Sequence, residues 1–136
     1  MASVRITEFR LDSLNIDTED VLKDVGEELR SIVINNFVNS VDPYGNAWKE
    51  LSPQTIRRKG SSKPLIDTGT LMNSIDYNVS GRILKLFTGA EAPYGVYHQE
   101  GTGRIPRRSF FPDPDDLPDD WLKVIEDSIH NAISRS

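Results

Sequence analysis

The residues best suited to chemistry are Asp67, Thr68 and Gly69, which follow the apolar pair Leu65 and Ile66. Two copies of a chain that present an aspartate in this way can place their carboxyl groups side by side, where they share a proton and activate a water molecule. This is how a dimeric aspartic protease hydrolyses peptides. The motif therefore predicts one candidate enzyme, with Asp67 as its catalytic residue.

The residues after this motif favour a structural role for it. Leu71, Met72 and Ile75 recur at helical spacing, whereas a protease of the retroviral type needs a strand-rich chain and a glycine-rich flap. At the start of a helix, the side-chain oxygen of Asp67 or Thr68 would accept hydrogen bonds from backbone N–H groups two or three residues further on. We therefore favour a helix cap and keep the homodimeric protease as the alternative.

The other candidates for chemistry lack the partners that a reaction or a metal site requires. The chain has no cysteine, which excludes thiol nucleophiles and cysteine-bound metal centres. His98 and His130 are its two histidines, and neither has the nucleophile or the further ligands that general base catalysis or zinc binding needs. The glycine-rich run at 101–103 is not followed by the lysine of a phosphate-binding loop. We expect no enzyme activity, no metal and no cofactor.

Size and composition predict one globular domain that spans residues 1–136. Hydrophobic residues make up 37% of the chain and charged residues 27%, which is typical of a folded domain of this length. No apolar run approaches the ~18 residues of a membrane span, and residues 1–10 lack the pattern of a secretion signal. We expect no membrane contact.

Charge is distributed unevenly along the chain. Residues 1–40 carry a net charge of −4, residues 41–112 carry +4 and residues 113–136 carry −5. The basic middle contains two clusters, one of Arg57, Arg58 and Lys59 with Lys63 and the other of Arg104, Arg107 and Arg108. Such segments can meet an acidic partner or the acidic segments of another copy. The alternative is that they are solvated charges without a partner.

Hydrophobic spacing predicts two amphipathic helices. The first runs from about residue 19 to residue 40, with Asp17 or Thr18 as its cap. Gly26 lies inside it and costs stability in a helix, so another part of the chain is expected to pack closely there. The second helix starts near Asp119 and places on one face Trp121, Val124, Ile125, Ile129, Ala132 and Ile133.

Strand-forming residues predict a small sheet. A short strand is expected within residues 4–11, and a hairpin is expected from residues 74–80 and 82–88, joined tightly at Ser80 and Gly81. A sheet of this size has unpaired edges and is marginal alone, so self-association is expected.

These elements predict an α+β fold. A small antiparallel or mixed sheet packs against a long N-terminal helix and a C-terminal helix, with each helix covering one face. Shorter helices are expected at 52–60 and from about residue 67, with one helical turn near 94–99. Extended loops occupy residues 42–66 and 89–112, and we expect them to serve in assembly.

Several motifs occur in an order that resembles a known family. They are Gly45-x-x-Trp48-x-x-Leu51, Leu65-x-Asp67-Thr68-Gly69-x-Leu71, Tyr94-x-x-x-His98-Gln99-x-Gly101 and Ile105-Pro106-Arg107-Arg108-x-Phe110. Together with the closing amphipathic helix, the series covers about residues 30–133. In this order the motifs resemble the phage virion morphogenesis family, the tail-completion or head-to-tail joining proteins of tailed bacteriophages and prophages.

The resemblance implies a structural subunit that is not an enzyme. It implies a ring of identical copies, expected to be a hexamer, at the neck or the upper end of the tail, with head-to-tail contacts that close on themselves. The implied partners are connector or adaptor proteins and tail-tube or tail terminator proteins, and DNA would pass through the ring without sequence-specific recognition. The chain would be found in the host cytoplasm during assembly and in the virion afterwards.

The residues expected to contact subunits or partners follow from this resemblance and from side-chain chemistry. Large apolar side chains are candidate anchors, and they are Trp48, Leu51 and Phe110. Basic side chains are candidates for salt links, and they are Arg57, Arg58, Lys59, Arg104, Arg107 and Arg108. The alternative for each group is an ordinary place in the core or on a solvated loop. We expect local roles in the fold for Tyr94, His98 and Gln99.

Overall fold

The structure is a computed structural model that describes residues 3–6, 17–50, 69–90, 92, 95–103 and 106–135. The elements within these residues, in chain order, are β1 (Ser3–Ile6), α1 (Thr18–Asn39), α2 (Thr70–Asn73), β2 (Asp76–Ser80), β3 (Ile83–Phe87), α3 (Gly95–Glu100) and α4 (Asp119–Arg135). The arrangement confirms the predicted α+β class.

Helix α1 forms where its sequence predicts. Oδ1 of Asp17 accepts hydrogen bonds from the N–H groups of Glu19 at 3.0 Å and Asp20 at 3.4 Å, and such a cap is worth about 1 kcal/mol. The helix ends at Ser40, whose left-handed backbone (φ 55°) turns the chain back. Its apolar stripe is buried and comprises Val21, Leu22, Val25, Leu29, Val33 and Phe37.

The three strands form one antiparallel sheet in the order β1-β3-β2. The predicted hairpin is present, with Gly81 and Arg82 between β2 and β3. Gly81 has a φ of 60°, which the first loop position of a tight type II′ turn requires. Val4 pairs with Leu86, and directly paired residues share a sheet face. Both are buried together with Leu84, so this face is the apolar one.

Helix α1 covers the apolar face and approaches it closely at Gly26. A Cβ atom at this position would lie 2.5 Å from Cδ2 of Tyr77 and 2.9 Å from Cδ1 of Leu84, which is too close for any side chain. The hydroxyl of Tyr77 also donates a hydrogen bond to Oε2 of Glu27 at 3.1 Å. The close packing predicted at Gly26 is therefore confirmed.

Helix α4 packs against α1 and, among the described elements, has no extensive contact with the sheet. This corrects the expectation that each long helix covers one sheet face. Helix α1 can pack against both the sheet and α4 because its apolar arc is wide. Ile32 and Ile34 are also packed against the core. Trp121 is fully buried on α4, but Ile133 is 44% exposed, because twelve residues place it roughly 120° around the helix from Trp121.

The remaining expectations concern residues next to or outside the part of the chain that the structure describes. Helix α2 begins at Thr70, later than predicted, and its N-cap residue is Gly69, which makes no side-chain cap hydrogen bond. The cap expected from Asp67 or Thr68 stays a prediction. Asp67 and Thr68 lie outside the described residues, as does the helix expected at 52–60.

We predict that Gly26→Ala lowers the free energy of unfolding by about 1 kcal/mol. Overpacking costs about 1–3 kcal/mol, which exceeds the gain of about 1 kcal/mol in helix propensity. Chemical denaturation measures the change. Gly103→Ala is the matched control, because a Cβ there would meet no atom within 4 Å, and it should shift stability by less than about 0.5 kcal/mol. A more stable Gly26→Ala variant would contradict the packing described.

Alkaline stability should depend on Tyr77. Burial and the hydrogen bond to Glu27 raise the pKa of the Tyr77 phenol above its ordinary value of 10.0. The folded chain therefore favours the protonated phenol, and the stability this contributes is complete below the unfolded pKa and lost as the pH rises through the folded pKa. Denaturation curves at a series of pH values above about 9 should show a smaller alkaline loss for Tyr77→Phe than for the unchanged chain. Identical pH profiles would disprove this role.

Candidate interaction surface

Residues 106–113, which we name the return segment, connect α3 to the start of α4 without regular secondary structure. The backbone polar groups of such a segment need partners outside any helix or sheet. Gln99 on α3, the helical turn predicted near 94–99, supplies several. Its Oε1 accepts hydrogen bonds from the N–H groups of Phe110 and Phe111, each at 2.9 Å, and its Nε2 donates to the carbonyl of Phe111 at 2.8 Å.

Hydrogen bonds to two backbone carbonyls of α3 fix the other end of the return segment. The N–H of Arg108 donates to the carbonyl of His98 at 2.8 Å, and Nε of Arg107 donates to the carbonyl of Gln99 at 3.2 Å. Gly101 has a φ of 78°, and a Cβ there would lie 3.1 Å from the backbone nitrogen of Arg107. Glycine is therefore required at this position for both its conformation and the close approach.

The loop after α1 is a tight turn that brings Trp48 back to the core. Oδ1 of Asp42 accepts hydrogen bonds from the N–H groups of Tyr44 and Asn46, both at 2.9 Å. The N–H of Trp48 then donates to the carbonyl of Ser40 at 2.8 Å. The described part of the predicted loop 42–66 is thus ordered by its own Asx turn.

Four aromatic rings join this turn to the return segment. The ring of Phe37 lies 5.3 Å from that of Trp48, edge to face, and 5.3 Å from that of Phe110, which in turn lies 4.9 Å from Phe111. Each such pair is worth about 0.5–1.5 kcal/mol beyond its buried area. The indole N–H of Trp48 donates to the carbonyl of Ser109 at 2.8 Å. Burial and hydrogen bonding therefore fix Trp48 in one orientation.

Arg108 is a buried cation in the same place. It is 6% exposed, and its Nε donates to the carbonyl of Lys49 at 2.9 Å. Burial lowers the pKa of its guanidinium below the ordinary value of arginine, and an arginine nevertheless keeps its charge at physiological pH. No carboxylate in the described part of the chain forms an ion pair with it. Its contact with Lys49 ties the loop after α1 to the return segment.

Tyr44 ties the far end of the return segment to the same turn. Its hydroxyl accepts a hydrogen bond from the N–H of Asp113 at 3.0 Å and donates one to the carbonyl of Asp116 at 2.9 Å. The turn after α1 thus holds the return segment at both ends, through Trp48 and Arg108 on one side and Tyr44 on the other. The result is a rigid joint built from two loops.

The predicted contact residues divide into three groups. The structure brings together Trp48, Arg108 and Phe110, which are buried inside the chain. Arg107 is exposed on the return segment. Outside the described residues lie Leu51, Arg57, Arg58, Lys59 and Arg104. Contacts of all these residues with other chains stay a prediction, and the described burial of the first group accounts for their large side chains by packing alone.

Sequence reasoning missed one surface, which is the sheet face turned away from α1; we name it the open sheet face. Arg5 lies there directly opposite Lys85, and Phe87 shares the face with Ile83. Arg5 is exposed, Ile83 is 41% exposed, and Lys85 and Phe87 are half-buried. The sequence signal for this face was the alternation along β3. It places one set of side chains on the face away from Leu84 and Leu86.

The described ranges contain no candidate metal cluster and no helix that could span a membrane. No group of three or more histidine, aspartate and glutamate side chains there is placed to hold a metal ion. None of the helices in those ranges is long and apolar enough to cross a bilayer. What the described residues offer is a stiff joint between loops and a partly apolar, basic sheet face.

Comparison with known proteins shows the family of this chain. The model of the phage virion morphogenesis family matches residues 6–131, most of the chain. The chain belongs to the phage virion morphogenesis family. This confirms the family predicted from the ordered motifs. No curated protein and no solved structure matches the chain. The phage virion morphogenesis family is a structural one, so membership supports a role in the assembly of a phage virion.

We predict that Gln99→Ala lowers the free energy of unfolding by about 2–3 kcal/mol, because each buried polar group left without a partner costs about 1–3 kcal/mol. Hydrogen exchange of the Phe110 and Phe111 amides should accelerate in this variant. Denaturation curves and exchange measured by NMR test both effects. Glu100→Ala, at the exposed next position, is the control and should change stability by less than about 0.5 kcal/mol. Unchanged protection of the two amides would refute the role of Gln99.

Proposed function

We propose that this chain is a tail-completion or head-to-tail joining protein, a structural subunit that attaches the head of a tailed phage to its tail. The observation that carries the proposal is the match to the phage virion morphogenesis family over residues 6–131. The chain would form a closed ring of identical copies, six in our expectation, at the neck or the upper end of the tail. It would assemble in the host cytoplasm and remain in the virion.

The joint between the loops supports such a role. The turn that leads into residues 51–66 is bonded to the return segment, which directly follows residues 104 and 105, through Trp48 to Ser109 and Arg108 to Lys49. Arg108 of the second basic cluster therefore lies against the turn that precedes the first cluster in sequence. A ring would multiply this positive charge by its copy number, which suits contact with acidic partner surfaces and tolerance of passing DNA.

The proposed partners are the connector or adaptor proteins on the head side and the tail-tube or tail terminator proteins on the tail side. Attachment requires specific surfaces and no chemical step. In our proposal the chain therefore works by binding and not by catalysis, and DNA crosses the ring without being read. Loops that are anchored at their bases lose less entropy on binding than free segments do, which favours tight joining.

A phage or prophage that carries the gene provides the test. A stop codon early in the reading frame should leave filled heads and complete tails as separate particles in lysates examined by electron microscopy. Expression of the intact chain from a plasmid should restore joined virions, because the missing subunit is then supplied in trans. Infectious titre gives the matching quantitative measurement.

The variant Asp67→Asn separates attachment from proteolysis. In the plasmid experiment it should restore joined virions as well as the unchanged chain does, because attachment needs no catalytic carboxylate. Joined virions in the absence of the chain would refute the proposed function. Loss of joining by Asp67→Asn, together with uncleaved virion proteins, would instead point to the aspartic protease.

A further inference from the structure

The open sheet face combines positive charge with exposed apolar surface. Arg5 lies directly opposite Lys85, and two cations at paired positions repel each other. Ile83 and Phe87 lie on either side of Lys85 along β3, and Asp76 stands at one end of the face, paired with Phe87. In a chain alone, the two cations repel each other and the apolar side chains remain exposed to water. Contact with an acidic, partly apolar surface would offset both costs.

Helix α4 carries a surface of that kind. Leu122 and Ile133 are each 44% exposed, and they lie on the same side of α4, since eleven residues complete about three turns. Glu126 stands between them on this side, and Asp119 lies one turn before Leu122. We name these residues the α4 stripe. The segment that contains it, residues 113–136, carries a net charge of −5.

We propose that the open sheet face of one copy receives the α4 stripe of the next copy. The proposal rests on the proposed ring and names the surfaces that close it. Exposed Ile83 would be covered by the apolar side chains of the stripe, while Arg5 and Lys85 would meet its acidic margin. The charge repulsion within one copy would then become attraction between two.

Both surfaces belong to every copy, and they are different surfaces. A contact between unlike surfaces is heterologous, and its repetition generates either a closed ring or an open filament. Pairing of like surfaces is disfavoured here, because two open sheet faces would oppose Arg5 and Lys85 to themselves and two α4 stripes would oppose their carboxylates. DNA is a poorer occupant of the open sheet face, since its phosphates would leave Ile83 and the α4 stripe without apolar partners.

Cross-linking tests the proposal directly, because the chain has no cysteine. Ile83→Cys and Leu122→Cys place one thiol on each surface at exposed positions. When the two single variants are mixed and treated with a short bismaleimide reagent, we expect a dimer whose linked peptides join positions 83 and 122 in mass spectrometry. The double variant should give a ladder of covalent oligomers that ends at the size of the ring.

A matched pair tests whether the contact is specific. Asn35→Cys places a thiol at an exposed position of α1, outside both surfaces. Mixed with Leu122→Cys under the same conditions, it should give a cross-linked yield at least about tenfold lower, because no interface holds the two thiols together.

Charge reversal gives an independent measurement without a reagent. Lys85→Glu and Glu126→Lys should each raise the dissociation constant of the oligomer about tenfold in mass photometry, since each replaces attraction by repulsion. The combination of both changes in one chain should recover part of this loss. Glu126→Lys should keep the circular dichroism and thermal unfolding of the unchanged chain, because Glu126 is exposed. Lys85→Glu should keep the circular dichroism and unfold at no lower temperature, because the new carboxylate stands directly opposite Arg5.

The outcomes separate this proposal from the proposed function. Rings that cross-link between positions 83 and 122 support it. Rings that form but do not cross-link there, and that tolerate both charge reversals, overturn the assignment of surfaces and leave the joining function standing. A chain that stays monomeric at every concentration, alone and with its neck partners, overturns the ring and this proposal with it.

Discussion

Backbone hydrogen-bonding groups of an irregular segment need side-chain partners, and this requirement governs how the molecule is put together. The return segment has neither helix nor strand, so its N–H and C=O groups depend on Gln99 and Trp48. Those side chains are themselves fixed by α3 and by the turn after α1. Three stretches of sequence therefore become one unit through a few polar bonds and an aromatic cluster. A structural subunit benefits from such stiffness, because loops that are already placed bind without a large loss of entropy.

The sheet is asymmetric because one helix is enough for its apolar face. Helix α1 has a wide apolar arc and packs against β2 and β3 on one side and α4 on the other. Gly26 lets it approach the sheet until Tyr77 and Leu84 touch its backbone. The opposite face then keeps exposed Arg5 directly opposite half-buried Lys85. Among the described helices, none has an extensive contact with this opposite face.

Much of the fold was predictable because it follows local rules. The apolar spacing of α1, its cap at Asp17 and the hairpin turn at Gly81 depend on residues close in sequence, and each was predicted from them. The packing partner of α4 was not, because two helices and a sheet can be layered in more than one way and periodicity does not choose between them. The ties made by Gln99 and Tyr44 were beyond prediction too, since they join residues separated by up to 72 positions. The family, by contrast, was evident from the order of its motifs.

The backbones of Gly101 and Arg107 lie close together, so the stretch between them in sequence begins and ends at nearly the same point. The hydrogen bond from the Arg108 N–H to the His98 carbonyl holds the two ends of this stretch together. Lengthening a loop whose ends are already held together costs little conformational entropy. Evolution can therefore add or remove residues here without disturbing the core. Members of the family can differ in this stretch while keeping one scaffold, so that compatibility between virion parts would change faster than the fold that carries it.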